Sequence, residues 1–288
     1  MDRNTPMNPS GRDPIHLLVS SDEGYVPQLC VLLTSLSLNN PGESFSLYFL
    51  HNDLSQACLD QVARCTDTLK IAFFPISVGD TLFQDAPTTG RYPKQMYYRL
   101  LAPHLLPETV ERVLYLDPDI LVINPLRPLW EIDLQGCLFA AAAHTGKTEL
   151  ANNVNRLRLK TDHDYYNSGV LLMDLAAGRR EIVPSALFAY AAAHKKELLL
   201  PDQDLLNALY GDRVLPLDDV FWNYDARNYN NYHLRSSGVC DTAWVMQNTA
   251  ILHFCGSAKP WKPRYRYRFG LLYRHYMQLT QRWFSPAE

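Results

Sequence analysis

The order of apolar runs along this chain predicts an α/β fold built around a parallel sheet. Three observations carry that expectation. Continuous apolar runs at Ile15–Ser20, Phe45–Leu50 and Ile71–Ile76 read as strands buried on both faces. Between them, Leu29, Leu32, Leu33 and Leu36, and then Leu54, Cys58, Val62 and Cys65, recur at helical spacing. At 288 residues, with 47% apolar and 20% charged side chains, the chain is long enough to bury a large core and has ordinary globular composition.

Pro27 suits the first turn of a helix, and Asn39-Asn40-Pro41-Gly42 ends it. The β-α-β-α-β order up to Ile76 implies right-handed crossovers. Gly79–Lys94, broken by Pro87, Gly90 and Pro93, reads as a loop over a site, and Gln95–Leu101 as helical. Val113–Leu116 and Ile120–Ile123 are short strands around Asp117-Pro118-Asp119. Leu138–Ala143, Val170–Leu175 and Ala250–Phe254 are further strands, and helices are expected at Pro184–His194 and Pro201–Tyr210. Residues 1–14 read as a loose arm, 15–261 as the main domain and 262–288 as a basic, aromatic extension.

Composition excludes several classes. A net charge of −3 gives no footprint for nucleic acid. No apolar run reaches the roughly 18 residues of a spanning helix, and residues 1–14 lack the apolar core of a signal peptide. The expected location is the cytoplasm. None of Cys30, Cys58, Cys65, Cys137, Cys240 and Cys255 forms a C-x-x-C pair. On one helix, Cys58 and Cys65 would lie about 10 Å apart, beyond disulfide reach. Six reduced thiols are therefore expected. Neither G-x-G-x-x-G after the first strand nor a P-loop is present, which disfavours dinucleotide oxidoreductases and NTPases. A nucleotidyltransferase would need a basic, Gly-rich loop where Ser20–Tyr25 is acidic.

Ligands of open α/β sheets bind beyond the carboxyl ends of the strands. Three Asp-x-Asp triplets occur: Asp117/Asp119, Asp162/Asp164 and Asp202/Asp204. The second lies in a polar stretch and reads as solvated, while Asp202 sits where an acid caps a helix. Only Asp117/Asp119 lies between two apolar runs, where paired carboxylates form either a cation site or a structural turn. His253, at the end of AILHF, completes a ligand set suited to Mn²⁺, with Mg²⁺ as the alternative. Gly256 allows close backbone approach to a phosphate, and Lys259 can neutralise a diphosphate.

At this point the sequence resembles glycosyltransferase family 8, which includes bacterial lipooligosaccharide galactosyltransferases and glycogenin. The matching text is Ser21–Tyr25, YYRL ending at Leu100, VLYLDPDILV, NSGVLLMDL (Asn167–Leu175), PDQDLLNALY (Pro201–Tyr210) and HFCGSAKPW (His253–Trp261). The resemblance implies a GT-A fold, a Rossmann-like mixed sheet flanked by helices, and a metal-dependent retaining hexosyltransferase. Its donor would be a UDP-hexose and its acceptor a saccharide or glycolipid, as in lipopolysaccharide biosynthesis. Asp117, Asp119 and His253 would bind the metal, with Asp117 also near the ribose. Asp22 and Tyr25 would meet the base, and Gly256 and Lys259 the diphosphate. Arg99, Asn167, Asp202 and Gln203 would line the sugar pocket, with Gln203 and Asp202 in catalysis. Gly24 and His144 depart from the galactosyltransferases, which carry asparagine and aspartate there. A glycogenin-like self-glucosylating protein and a non-catalytic sugar-nucleotide binder remain the alternatives.

From Lys259 to the end, seven basic residues face one acid, Glu288, with aromatic residues interleaved. In a helix over Phe269–Phe284, Leu272, Tyr276, Leu279 and Trp283 share one stripe. Such a stripe either packs on the core or rests on an anionic membrane as a peripheral contact.

Overall fold

The computed structural model describes residues 12–88, 93–144 and 149–284. Most of the expected arm, residues 1–11, lies outside them. The three predicted opening strands form as β1 (Ile15–Ser20), β2 (Phe45–His51) and β3 (Ala72–Ser77), paired in parallel. The main sheet continues with β4 (Arg112–Leu116), β6 (Phe139–Ala142), β7 (Val170–Asp174) and β8 (Val214–Leu217), in the order β3-β2-β1-β4-β7-β6-β8. A second sheet has the order β5-β10-β9, from Ile120–Val122, Ile251–His253 and Tyr224–Asp225.

The expectation of a parallel sheet holds on one side only. β1 and β4 are parallel, but β7 runs antiparallel to both β4 and β6. An apolar run buried on both faces reads the same in either direction, so the sequence pattern carries no sign of this reversal. The mixed sheet implied by the family resemblance is what forms.

Alternation along the strands divides the core into two layers. Ile15, Leu17 and Val19 of β1 and Leu114 and Leu116 of β4 pack with the helix Val26–Asn39. Leu18, Val113, Tyr115, Leu171 and Met173 point to the other face, against the helices Pro184–Ala193 and Pro201–Tyr210. Each such fully buried aliphatic side chain contributes about 1.5–3 kcal/mol.

One local expectation fails and another holds in part. Lys94–Tyr97 is a 3₁₀ turn where a helix over Gln95–Leu101 was expected. Residues 98–100 continue as turns, and an α-helix begins only at Ala102–Leu105, with Pro103 in its first turn. The tail helix forms at Gly270–Phe284, and Leu272 and Tyr276 of the expected stripe pack on the core beside Tyr273, while Trp283 does not. Tyr273 and Thr280 are buried, Tyr276 Oη accepts from Asn39 Nδ2 (2.8 Å), and Thr280 Oγ1 meets Thr34 Oγ1 at 3.0 Å. Polar groups on Val26–Asn39 thus add contacts that an apolar count does not register. Trp283 and Leu271 stay exposed. All six cysteines are free thiols, as expected. Among the described residues no helix is long and apolar enough to cross a membrane.

Candidate active site

The chain leaves the main sheet at the end of β4 and enters the small sheet at β5. Asp117-Pro118-Asp119 is that crossing. Backbone bonds hold it from both sides: Asp117 N–H donates to Gly169 O (2.8 Å) and Phe254 N–H to Asp119 O (3.0 Å). His253 pairs with Ile120 across the small sheet. Three residues from two distant parts of the sequence thus reach one corner. His253 Nε2 lies 3.3 Å from Asp119 Oδ1 and 3.7 Å from Asp117 Oδ2.

This corner opens on a cavity of about 530 Å³. Its wall runs from Ser20, Ser21, Asp22 and Tyr25 beyond β1, past Asp117–Asp119, to Arg99 and Asp202. Pro93, Gln95 and Met96 form the opposite side. The segment over Gly79–Lys94 therefore does end at a site, although its residues 89–92 lie outside those described.

Positive charge is concentrated on the carboxylates. Arg99 bridges Asp117 (3.2 Å) and Asp202 (3.1 Å) and stacks over Tyr115, whose hydroxyl donates to Asp117 (2.8 Å). Burial works against charge on Arg99, but Asp117 and Asp202 outweigh it and push its pKa up. Lys259 Nζ donates to Asp119 and to Phe254 O. Burial alone would raise the Asp119 pKa; His253 and Lys259 reverse this and hold it well below the usual carboxylate range.

The oxygen and nitrogen atoms of Asp117, Asp119 and His253 lie close enough together to hold a metal ion. Gly169 makes room for them. A Cβ there would come within 2.3 Å of the His253 ring and 2.6 Å of Asp117 Oδ2. A second group, His144, Asp225 and Cys255, has similar spacing. Its carboxylate is already committed: Asp225 accepts from Arg227 N, Nε and Nη2 and from Asn228 Nδ2 at 2.7–3.0 Å. That group is a hydrogen-bonded corner, not a second cation site.

The other expected residues are placed as follows. Asn167 Nδ2 donates to Gln203 Oε1 (3.1 Å), and Ser168 Oγ donates to Asp202 (3.1 Å). Asp202 turns into the cavity and no side chain caps its helix, while Asp204 accepts from Leu199 N and Leu200 N just before the helix and is gripped by Arg158 and Tyr165. Asp162 and Asp164 are exposed, as expected. Tyr25 lines the cavity with its ring edge-on to Trp261, which also packs on Tyr273. Gly256 has φ +77°, and Arg227 fills the space a side chain would need. Gly256 is not among the cavity-lining residues. Sequence reasoning missed Gly169, Ser168, Tyr115 and Asn223. The first two sit inside the quoted Asn167–Leu175 motif, but Asn223 carries no local signal.

The profile of glycosyl transferase family 8 matches residues 16–264. The chain belongs to glycosyl transferase family 8. Among curated members, General stress protein A of Bacillus subtilis (strain 168) is 26% identical over 275 residues, covering 93% of this chain and 94% of that one. Lipopolysaccharide 1,2-glucosyltransferase of Escherichia coli (strain K12) is 25% identical over 250 residues, covering 83% and 70%. Among solved structures, galactosyltransferase LgtC, in complex with donor and acceptor sugar analogs, superposes with a TM-score of 0.76 at 24% identity, covering 92% of this chain and 96% of that one. The fold is therefore GT-A, and the protein is a glycosyltransferase of this family.

Room at Gly169 yields a prediction. Gly169→Ala should leave the circular dichroism spectrum unchanged but weaken Mn²⁺ binding at least 10-fold, measured by electron paramagnetic resonance titration. Unchanged Mn²⁺ affinity would show that the Asp117–His253 corner is not where the ion goes.

Proposed function

We propose that this protein is a divalent-cation-dependent, retaining hexosyltransferase that takes glucose or galactose from a UDP-hexose and transfers it to a saccharide or glycolipid. The observation that carries this reading is the convergence of Asp117, Asp119 and His253 on a cavity whose walls bring in Asp22, Arg99 and Asp202. Residues 15–261 constitute the catalytic unit, with 262–288 as its extension.

Asp117, Asp119 and His253 would hold the cation, an oxygen and nitrogen set suited to Mn²⁺ or Mg²⁺. When bound, the cation neutralises charge that builds on the leaving diphosphate. Lys259, 11% exposed at its side chain, adds a second positive charge beside it. Asp22 and Tyr25 take the uracil end of the cavity. Arg99, Asn167 and Asp202 orient the sugar hydroxyls. Gln203 presents its carbonyl dipole near the anomeric carbon, where positive charge develops. In a retaining transfer from the front side, the bond from the anomeric carbon to the diphosphate oxygen breaks. The acceptor oxygen bonds on the same face, and its proton passes to the departing diphosphate.

Hydrolysis tests the reading without knowledge of the acceptor. UDP-glucose and UDP-galactose are incubated with and without Mn²⁺. One of them should be cleaved only with Mn²⁺, proton NMR should show the donor's anomeric configuration in the first product, and Asp119→Asn should lose at least 100-fold in kcat/KM. Cleavage that ignores Mn²⁺, or full activity in Asp119→Asn, contradicts the assignment. An inverted first product contradicts retention. A mass increase of the protein itself would point to self-glucosylation instead.

We also propose peripheral contact with an anionic membrane. Lys262, Arg264, Arg266, Arg268 and Arg282 are exposed, together with Leu271 at 78% and Trp283 at 43%. Each cation near such a surface adds about 1 kcal/mol. Flotation with anionic liposomes should show binding at low salt that is lost at high salt. Equal behaviour with neutral liposomes refutes the contact.

A further inference from the structure

Asn223 is fully buried between the short helix Asp219–Trp222 and β9. Its side chain lies between two groups assigned above, and the direction of every bond can be worked out from one backbone amide. Gly169 N–H can only donate, and it donates to Asn167 Oδ1 (2.9 Å). That fixes the Asn167 carboxamide, so its Nδ2 faces Gln203 Oε1. The same Asn167 Oδ1 accepts from Asn223 Nδ2 at 2.9 Å. Asn223 Oδ1 must therefore face His253 Nδ1, also at 2.9 Å, and Nδ1 must carry the proton.

The result is a one-way relay. His253 Nδ1–H donates to Asn223, Asn223 donates to Asn167, and Asn167 donates to Gln203. Bonds aligned in this way polarise one another. The first of them leaves Nε2 as the atom that faces Asp117 and Asp119. Histidine ligands of metals are held in this manner by a partner on the other ring nitrogen. A second tie comes from the Asn223 carbonyl, which accepts from His144 Nε2 (2.8 Å).

We propose that Asn223 is a positioning residue that couples the cation ligand His253 to the sugar-side pair Asn167 and Gln203. The inference rests on the hexosyltransferase reading for its sugar arm and on the cation corner alone for its metal arm. One buried amide sets the ring orientation of His253 and the carbonyl position of Gln203 together. A shift at either end passes to the other through two carboxamides whose bonds all run in one direction.

Two substitutions separate the arms. Asn223→Asp keeps an acceptor for His253 Nδ1–H but offers no donor to Asn167. It should hold Mn²⁺ affinity within about 3-fold of wild type and lower kcat for UDP-hexose hydrolysis about 10- to 100-fold. Asn223→Ala removes both bonds, and should weaken Mn²⁺ binding, measured by electron paramagnetic resonance, by about 10- to 100-fold as well. A third measurement needs no variant: with ¹⁵N-labelled histidine and Mg²⁺, the wild-type spectrum should show a slowly exchanging His253 Nδ1–H. Wild-type Mn²⁺ affinity in Asn223→Ala, unchanged kcat in Asn223→Asp, or an Nε2–H tautomer overturns the proposal. If wild type binds Mn²⁺ but cleaves no UDP-hexose, the function proposed above fails, and the Mn²⁺ titration of Asn223→Ala still decides the metal arm.

Discussion

Asp117 and Asp119 hold two carboxylates within one turn of chain, with Asp119 only 6% exposed, and the surrounding structure is arranged to compensate them. An uncompensated buried carboxylate costs several kcal/mol. Arg99 is drawn to the pair from one distant part of the chain, and His253 and Lys259 from another. Arg99 also reaches Asp202, so the same charge that balances the Asp-x-Asp turn fixes the start of the helix carrying Gln203. The strands must break where they do for this to work. If β4 ran straight on, Asp119 would not face β10, and His253 would have no carboxylate to meet.

Rigidity of that corner comes from its saturated surroundings. Asp204 accepts five hydrogen bonds, from Leu199, Leu200, Arg158 and Tyr165, so the loop before Pro201 has one conformation. Asp225 is similarly filled by Arg227 and Asn228. These two acids shape the walls, while Asp117, Asp119 and Asp202 face the cavity. Asp202 and Asp204 differ by two positions and have opposite fates because a helix turns them to different sides.

How much of this could be read from the sequence follows from the range of the interactions. The opening strands and helices were legible because apolar periodicity is local. The Asp-x-Asp turn was legible because two acids between apolar runs are conspicuous. The antiparallel β7 was not, since strand direction leaves no mark on a run buried on both faces. That Asp202 leaves its helix uncapped was not legible either, because Arg99 and Ser168, which hold it at the cavity, are distant in sequence. Asn223 was invisible: an asparagine after Phe-Trp has ordinary turn character until His253 and Asn167 are placed beside it. The tail helix was found with Leu272 and Tyr276 of its stripe on the core, but the polar contacts of Asn39 and Thr34 with it left no apolar signal.

The central claim is that the positive charge balancing Asp117 and Asp119 gives way to a divalent cation. Anomalous diffraction from crystals grown with Mn²⁺ and UDP tests it most directly. The account predicts one strong Mn²⁺ peak within coordination distance of Asp117, Asp119 and His253 Nε2, with Lys259 moved from Asp119 onto the diphosphate. A peak elsewhere, or Lys259 still on Asp119 with UDP bound, would contradict it.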